Sequence, residues 1–316
     1  MKKTVLVMKI FQSQSREKLE TLARDMEIVY CENHNPSPEQ LKRASIILGN
    51  PNTELLSHCE NLEWIQLHSA GFDPYVEEGI MPKGSILTNA SGAFGLVISE
   101  YMVGVTFALV RKLHLYRDHQ HERIWANLGR VGIVAKSSVL VVGLGDLGGQ
   151  YARKMHALGA RVTGIRRSAS PKPDYLDALY QMDALDTLLP QADIVALCLP
   201  NNAGSIGLFS RERIANMKQG AMLLNVGRGT VLDTEALCDA LESGALGGAA
   251  LDVTDPEPLP PDHRLWGIKS AIITPHASGG DEFGEIYGSI TDIWLENMRR
   301  YLAGETLRNM VELPNA

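Results

Sequence analysis

Val139-Leu140-Val141-Val142-Gly143-Leu144-Gly145-Asp146-Leu147-Gly148-Gly149 decides the fold of this chain. Four β-forming residues of the kind that fill a buried strand run directly into a GxGxxG turn. A helical pattern follows over residues 149–158 and is closed by Gly159. Glycines at these three places have separate physical jobs. Gly143 lets the chain turn sharply, Gly145 lets backbone approach a ligand, and Gly148 lets helix and strand pack closely. The helix that opens here presents unpaired N–H groups and the positive end of its dipole, which together hold an anion. Strand, glycine turn and helix in that order predict a dinucleotide site with the pyrophosphate on Gly143, Leu144, Gly145, Asp146, Leu147 and Gly148.

From residue 138 onward the chain repeats this rhythm. Short apolar runs at 139–142, 161–165, 194–197, 222–225, 249–251 and 271–273 are each followed by turn residues. That alternation predicts a doubly wound parallel sheet. The first third also alternates, with strands expected at 4–8, 46–49 and 64–67 and an amphipathic helix at 16–25. Residues 98–110 are apolar nearly all round, the pattern of a helix buried between layers or at an interface. The polar stretch 114–130 that follows contains Trp125.

The second strand of the dinucleotide unit selects the cofactor. An acidic residue about 20 positions beyond the glycine turn serves the ribose 2′-hydroxyl of NAD. Here the strand at 161–165 ends in Arg166-Arg167-Ser168. Two guanidinium groups and a hydroxyl suit a 2′-phosphate, because arginine meets phosphate oxygens as a fork. NADP(H) is therefore the expected cofactor, with NAD(H) possible.

Three later segments place polar residues at carboxyl ends of strands, where ligands bind in open α/β sheets. They are Asn225-Val226-Gly227-Arg228-Gly229, Asp252-Val253-Thr254-Asp255-Pro256-Glu257-Pro258, and Thr274-Pro275-His276-Ala277-Ser278. Reduction of a 2-keto acid needs these chemical types. An arginine clamps the carboxylate and polarises the keto oxygen. A protonated histidine gives that oxygen a proton, and a carboxylate beside the histidine orients it and favours the imidazolium. Arg228, Glu257 and His276 are the catalytic candidates. The chain holds nine histidines, so order and position carry this reading rather than His276 alone.

The 316 residues suggest two domains, and 45% hydrophobic residues suffice for two cores. The net charge of −7, without a basic stripe, argues against nucleic acid. Cys31, Cys59, Cys198 and Cys238 lack CxxC spacing, which speaks for reduced thiols, no metal site and a cytoplasmic setting. The apolar start at residues 4–8 stops at Lys9 and reads as a strand rather than a leader. No apolar run reaches membrane-spanning length, so no membrane partner is expected.

These segments resemble the D-isomer-specific 2-hydroxyacid dehydrogenase family, which includes glyoxylate/hydroxypyruvate reductases and phosphoglycerate dehydrogenases. The likeness spans essentially the whole chain. Beyond the segments already quoted it rests on Leu67-His68-Ser69-Ala70-Gly71-Phe72-Asp73 and Ile98-Ser99-Glu100-Tyr101. It implies Arg228 as substrate clamp, Glu257 as histidine partner, His276 as acid/base, and the backbone of Ser69, Ala70 and Gly71 as receiver of the substrate carboxylate. It implies that Asp252 contacts the nicotinamide amide and that Cys198, Leu199 and Pro200 line the adenosine side. Val226, Gly227 and Ser278 complete the expected cofactor contacts.

The resemblance also implies an architecture: an α/β chain of two doubly wound parallel-sheet domains. A Rossmann dinucleotide domain at 96–274 would be inserted in a flavodoxin-like substrate domain made of 1–95 and 275–316. Helices beginning near Leu96 and Glu282 would connect them. A homodimer through the dinucleotide domain and a D-hydroxy product are implied too. An end at Ala316 leaves no room for the regulatory domain of long phosphoglycerate dehydrogenases. Glu257 stands where formate dehydrogenases carry glutamine, which argues against formate oxidation.

The expected reaction is thus hydride transfer between NADP(H) and a small 2-keto or D-2-hydroxy acid. An NAD-dependent phosphoglycerate dehydrogenase-like enzyme is the alternative, and no cation cluster near the substrate loops favours it. A non-catalytic dinucleotide-sensing corepressor is the rival from another class. Arg228, Glu257 and His276 together argue for turnover.

Overall fold

The computed structural model describes residues 2–9, 12–31, 36–280 and 284–313. The chain forms two compact units, one of residues 1–94 with 281–316 and one of residues 95–280. The domain boundaries expected from sequence were 95/96 and 274/275. The structure assigns 275–280 to the larger unit, and the physical reason is a buried carboxylate described below that ties this loop to its own sheet.

The smaller unit is built on five strands: β1 (Thr4–Val7), β2 (Glu27–Tyr30), β3 (Ala44–Leu48), β4 (Trp64–Gln66) and β5 (Ile86–Thr88). All pair in parallel in the order β2-β1-β3-β4-β5. This is the flavodoxin-like winding. Leu6, Ile46, Ile47 and Ile65 are fully buried, as expected for strands covered on both faces. Helix α1 (Ser13–Leu22) and the C-terminal helix Gly284–Ala303 pack together on this sheet. Helix α2 (Pro38–Arg43) opens with a capping box, in which Ser37 and Gln40 satisfy each other's backbone N–H groups. The C-terminal helix joins the β4 exit through Trp294 Nε1, which donates to Leu67 O at 3.1 Å.

The larger unit opens with α3 (Gly95–Val110) and α4 (Leu113–Glu122). It continues with β6 (Ser138–Val142), α5 (Asp146–Ala157), β7 (Arg161–Ile165), β8 (Ala178–Tyr180) and α6 (Leu185–Leu188). Then come β9 (Ile194–Leu197), α7 (Arg211–Ala215), β10 (Met222–Asn225), α8 (Thr234–Glu242), β11 (Gly248–Leu251) and β12 (Ala271–Ile273). The seven strands are parallel in the order β12-β11-β10-β9-β6-β7-β8. This is the Rossmann order extended by one strand, and it reverses direction between β6 and β9.

Strand alternation feeds two cores. Val139 and Val141 pack with Met102, Val105 and Leu109 of α3 and with Tyr151 and Met155 of α5. Leu140 and Val142 face the opposite way, into a cluster with Leu237 and Leu241 of α8. The all-round apolar pattern of α3 follows from its place between α5 and the β10–β11 part of the sheet. Its polar residues are satisfied there. Thr106 Oγ1 donates to Met102 O at 2.7 Å and pairs with Tyr151 OH at 2.8 Å, while Ser99 Oγ accepts from Lys154 Nζ at 2.6 Å.

Four details depart from the sequence expectation. Helix α1 lies three residues earlier than 16–25. Helix α5 starts at Asp146 rather than 149, because Gly145 is already its N-cap. The stretch 114–130 is helical as far as Glu122 and irregular beyond it. Strands β2, β5 and β8, all sheet-edge strands of three or four residues, are not among those expected from sequence. Of the two connecting helices expected, α3 begins at Gly95; Glu282 lies outside the described residues.

Candidate active site

The strand order reverses between β6 and β9, so the loops leaving these two strands diverge and leave a crevice. Residues 143–148 and 198–200 are those loops. Gly143 has φ +96, which a side chain would strain, and a Cβ there would lie 2.5 Å from the Cys198 carbonyl oxygen. A Cβ on Gly148 would lie 1.9 Å from Gly143 O. Around Gly145 nothing stands within 4 Å of where a Cβ would be. Two glycines therefore press the turn against its neighbours while the middle one faces open space at the start of α5. That cradle fits a pyrophosphate approaching backbone N–H groups.

Asp146 of the motif has a structural job, since its Oδ2 accepts from Gly95 N at 2.7 Å. Burial pushes the Cys198 thiol up to about 12, so the loop lining here is neutral. A Cβ on Gly227 would meet Leu199 O at 2.5 Å, so the loops after β9 and β10 run in contact.

Arg166, Arg167 and Ser168 leave the end of β7. Arg166 N donates to Tyr180 O at 3.1 Å, and its guanidinium Nη1 donates to Ser170 Oγ at 2.5 Å. Arg167 and Ser168 are exposed. No carboxylate stands at 166–168.

Three loops carry the catalytic candidates at the carboxyl ends of β10, β11 and β12. Fully buried Asn225 shapes the first. Its Nδ2 donates to Arg228 O at 2.9 Å, and its Oδ1 accepts from Gly227 N at 3.1 Å. Arg228 Nη1 donates to Gly227 O at 2.8 Å, which folds the guanidinium along its own loop. A Cβ on Gly229 would lie 2.0 Å from the Thr254 carbonyl, so this loop rests directly on the one that carries Glu257. The peptide bonds Asp255-Pro256 and Glu257-Pro258 are both cis.

His276 Nδ1 lies 2.6 Å from Glu257 Oε1. An ionised carboxylate only accepts, so Nδ1 carries the proton and Nε2 is left as the end that can give or take one. The two side chains keep 51% and 43% of their exposure, so a ligand can reach the imidazole. His276 has φ +52, a left-handed backbone uncommon for a residue with a side chain.

Asp252 holds that conformation. Its backbone oxygen accepts from His276 N at 2.8 Å. Its carboxylate, in a residue only 2% exposed, accepts from Thr274 Oγ1 at 2.6 Å, Ala277 N at 3.0 Å, and both N and Oγ of Ser278. Thr274 Oγ1 accepts in turn from Tyr101 OH at 2.7 Å. Burial pushes the Tyr101 phenol up to about 12; the bond to Thr274 works against this and the Asp252 charge adds to it. Tyr101 thus stays a neutral donor, and the network tethers 274–278 to the larger unit. Asp252 and Ser278, expected as cofactor contacts, are the anchor of the histidine loop.

The smaller unit carries the remaining candidates. Ser69, Ala70 and Gly71 form a turn just beyond β4. Ser69 Oγ donates to Gly71 O at 2.6 Å and accepts from Asn50 Nδ2 at 3.0 Å, while Asn50 Oδ1 accepts from His68 N at 2.9 Å. Sequence reasoning missed Tyr101, Thr274 and Asn225 as site-building residues. A hydroxyl or amide at a strand end has no pattern of its own until its partners are known. Among the described residues no cluster of histidine, cysteine and carboxylate side chains could hold a metal ion.

A doubly wound sheet with this glycine cradle and a paired histidine and glutamate beyond its strands defines a nicotinamide-dependent oxidoreductase of the Rossmann class. Residues 103–278 match the family model described as "D-isomer specific 2-hydroxyacid dehydrogenase, NAD binding domain". The chain belongs to the D-isomer specific 2-hydroxyacid dehydrogenase family, whose members are NAD(P)-dependent oxidoreductases. It is 30% identical over 274 residues to a glyoxylate reductase of Thermofilum pendens, covering 83% of this chain and 75% of that one. A family protein from Aeromonas salmonicida superposes with TM-score 0.84 at 30% identity over 99% of both chains. A family member from Xanthobacter autotrophicus, solved with NADPH and MES, superposes with TM-score 0.83 at 25% identity over 98% of both.

Proposed function

We propose that this protein is an NADPH-preferring 2-keto acid reductase of the glyoxylate/hydroxypyruvate reductase kind, yielding the D-hydroxy acid. The observation that carries the reading is the His276–Glu257 pair at 2.6 Å, on a loop that Asp252 pins in a left-handed conformation. A charge-assisted bond of that length orients the ring and leaves Nε2 for the substrate. NADPH, when bound, supplies the hydride. Its pyrophosphate belongs on residues 143–148, and Val226, Gly227 and the 198–200 loop line its path. Arg228 clamps the carboxylate and polarises the keto oxygen, with the backbone of Ser69, Ala70 and Gly71 as the second carboxylate receiver. His276 then gives its Nε2 proton to the oxygen, while Glu257 holds the ring through Nδ1.

NADPH preference is supported by Arg166, Arg167 and Ser168, by the lack of a carboxylate there, and by the NADPH carried by the Xanthobacter relative. Arg166 is held in place by Ser170, which spares part of the ordering cost on binding phosphate. The test is nicotinamide absorbance decay with a panel of small 2-keto acids, NADPH beside NADH. Turnover is expected with kcat/KM at least about tenfold higher for NADPH. The double variant R166A/R167A should lose most of that ratio while keeping NADH turnover. Equal use of both cofactors by the wild type would reject the 2′-phosphate site. Turnover of 3-phosphohydroxypyruvate with NADH alone would favour the phosphoglycerate dehydrogenase-like reading. No turnover by protein that binds NADPH would favour a dinucleotide sensor.

We also infer a cytoplasmic homodimer joined through the larger unit. Trp125 is wholly exposed, and Leu113, Ile124 and Ile133 are 53%, 44% and 58% exposed along the same arm. So much apolar surface on one segment is the mark of a buried interface. Sedimentation should give a dimer for the wild type and a shift toward monomer for Trp125→Asp. A wild type that stays monomeric at micromolar concentration would reject the interface.

A further inference from the structure

Two successive backbone carbonyls of the turn assigned to the substrate carboxylate are held from the same side. Ser69 O accepts from Ala90 N at 2.9 Å, and Ala70 O accepts from Asn89 Nδ2 at 2.8 Å. A peptide unit is planar and trans, so its N–H points opposite to its C=O. Fixing these two carbonyls toward residues 89–90 therefore turns Ala70 N–H and Gly71 N–H away from them, on the far side of the turn. Successive backbone donors that point outward together make a concavity for an anion. Among the described residues, neither N–H donates to a protein acceptor.

Asn89 is placed for this task with little freedom left. It is 4% exposed, and its Oδ1 accepts from Ser91 N at 3.1 Å. Its backbone N donates to Asn309 O at 3.2 Å, and its backbone O accepts from Asn309 Nδ2 at 3.2 Å. Asn309 Nδ2 also donates to Ser91 O at 2.8 Å, so one amide bridges both ends of the turn after β5. Asn309 has φ +57, a conformation that asparagine tolerates better than most residues. Fully buried Asn297 secures the segment one residue earlier. Its Nδ2 donates to Arg308 O at 3.0 Å and to Gln66 Oε1 at 2.7 Å, and its Oδ1 accepts from Arg308 N at 2.7 Å. An unbroken series of amide contacts thus runs from the C-terminal segment through Asn309 and Asn89 to the Ala70 carbonyl.

We propose that Asn89 is a positioning residue for the substrate carboxylate, held in register by Asn309, and that it sets affinity for the acid rather than the rate of proton transfer. This rests on the reading that Ser69, Ala70 and Gly71 receive that carboxylate. Asn89→Asp is the sharpest test. It is isosteric and keeps the acceptor for Ser91 N, but it replaces the donor to Ala70 O by a second acceptor, so the 70–71 peptide loses its restraint. Asn309→Gly is the milder companion, since glycine keeps the left-handed backbone and removes both amide bonds.

The measurements are KM and kcat for the best 2-keto acid of the panel, calorimetric binding of oxalate to the enzyme with NADPH, and the Kd for NADPH alone. N89D should raise KM and the oxalate Kd about tenfold or more, and N309G about threefold. In both, kcat should fall less than about threefold and NADPH binding should be unchanged. Wild-type KM and oxalate affinity in folded N89D would overturn the proposal. So would a fall in kcat at unchanged KM, or a lowered melting temperature with unchanged KM. If N89D does not fold, N309G decides by the same criteria. A wild type that turns over a keto acid but does not bind oxalate would reject the 69–71 reading itself, separately from Asn89.

Discussion

Replacing His276 with asparagine should lower kcat by about 10² to 10⁴ while leaving the NADPH Kd within about twofold, because a positioned acid contributes on that scale. Asparagine is chosen for the backbone as well as the side chain. At φ +52 alanine or a branched residue would strain the loop, whereas asparagine visits this region readily. The contacts of Asp252 with Ala277 and Ser278 do not involve the imidazole, so the loop should survive the change. What is lost is the group to which the proposed mechanism gives the proton transfer. Single-turnover kinetics with prebound NADPH separates this from slow product release. Wild-type kcat in H276N would remove His276 from the chemistry.

Arg228→Ala should depress kcat/KM by about 10² to 10⁴, with KM rising and kcat falling together. A guanidinium making two charge-assisted bonds, each worth about 1.5–3 kcal/mol, accounts for that range. Arg228→Ala gives up the bond from Nη1 to Gly227 O, but the loop keeps supports that do not involve the guanidinium. Asn225 Nδ2 holds the carbonyl of residue 228, and Gly229 keeps its close approach to Thr254. The loss therefore reports the guanidinium and not a collapsed loop. Arg228→Lys should recover little, since an ammonium cannot reproduce the planar fork. Retention of kcat/KM in R228A would exclude the clamp. A rise in KM at unchanged kcat would leave it as a binding group without a part in polarising the keto oxygen.

How much of this was legible depends on how local the signal is. The Rossmann turn was legible because three glycines at fixed spacing answer two close approaches and one open face within six residues. Arg228, Glu257 and His276 were legible because each follows a strong apolar strand, so position at the sheet edge came with the pattern. The polarity of the loop supports was not legible. Tyr101 and Thr274 meet across 173 residues of sequence, and nothing near Tyr101 announces Thr274. Asn225 acts within three residues, but an amide at a strand end has no pattern of its own. Asp252 shows the same limit in another way. Its place after β11 does not announce that its oxygens anchor the His276 loop. Edge strands β2 and β8 were missed because an apolar run of three or four residues is too short for its period to separate strand from helix. The end of the larger unit was misjudged by six residues because the anchoring of 275–280 is a tertiary fact.

The smaller unit is assembled from both ends of the chain, and this has a consequence during synthesis. When residues 1–94 leave the ribosome, Gln66 still lacks Asn297, Leu67 lacks the Trp294 indole, and the turn at Asn89 lacks Asn309. At about 5–20 residues per second, roughly 10–40 s pass before those partners emerge. The larger unit, continuous from 95 to 280, can complete its sheet in that interval. The nascent first sheet meanwhile waits with part of its apolar face uncovered, which makes it the segment of this chain that chaperones would meet.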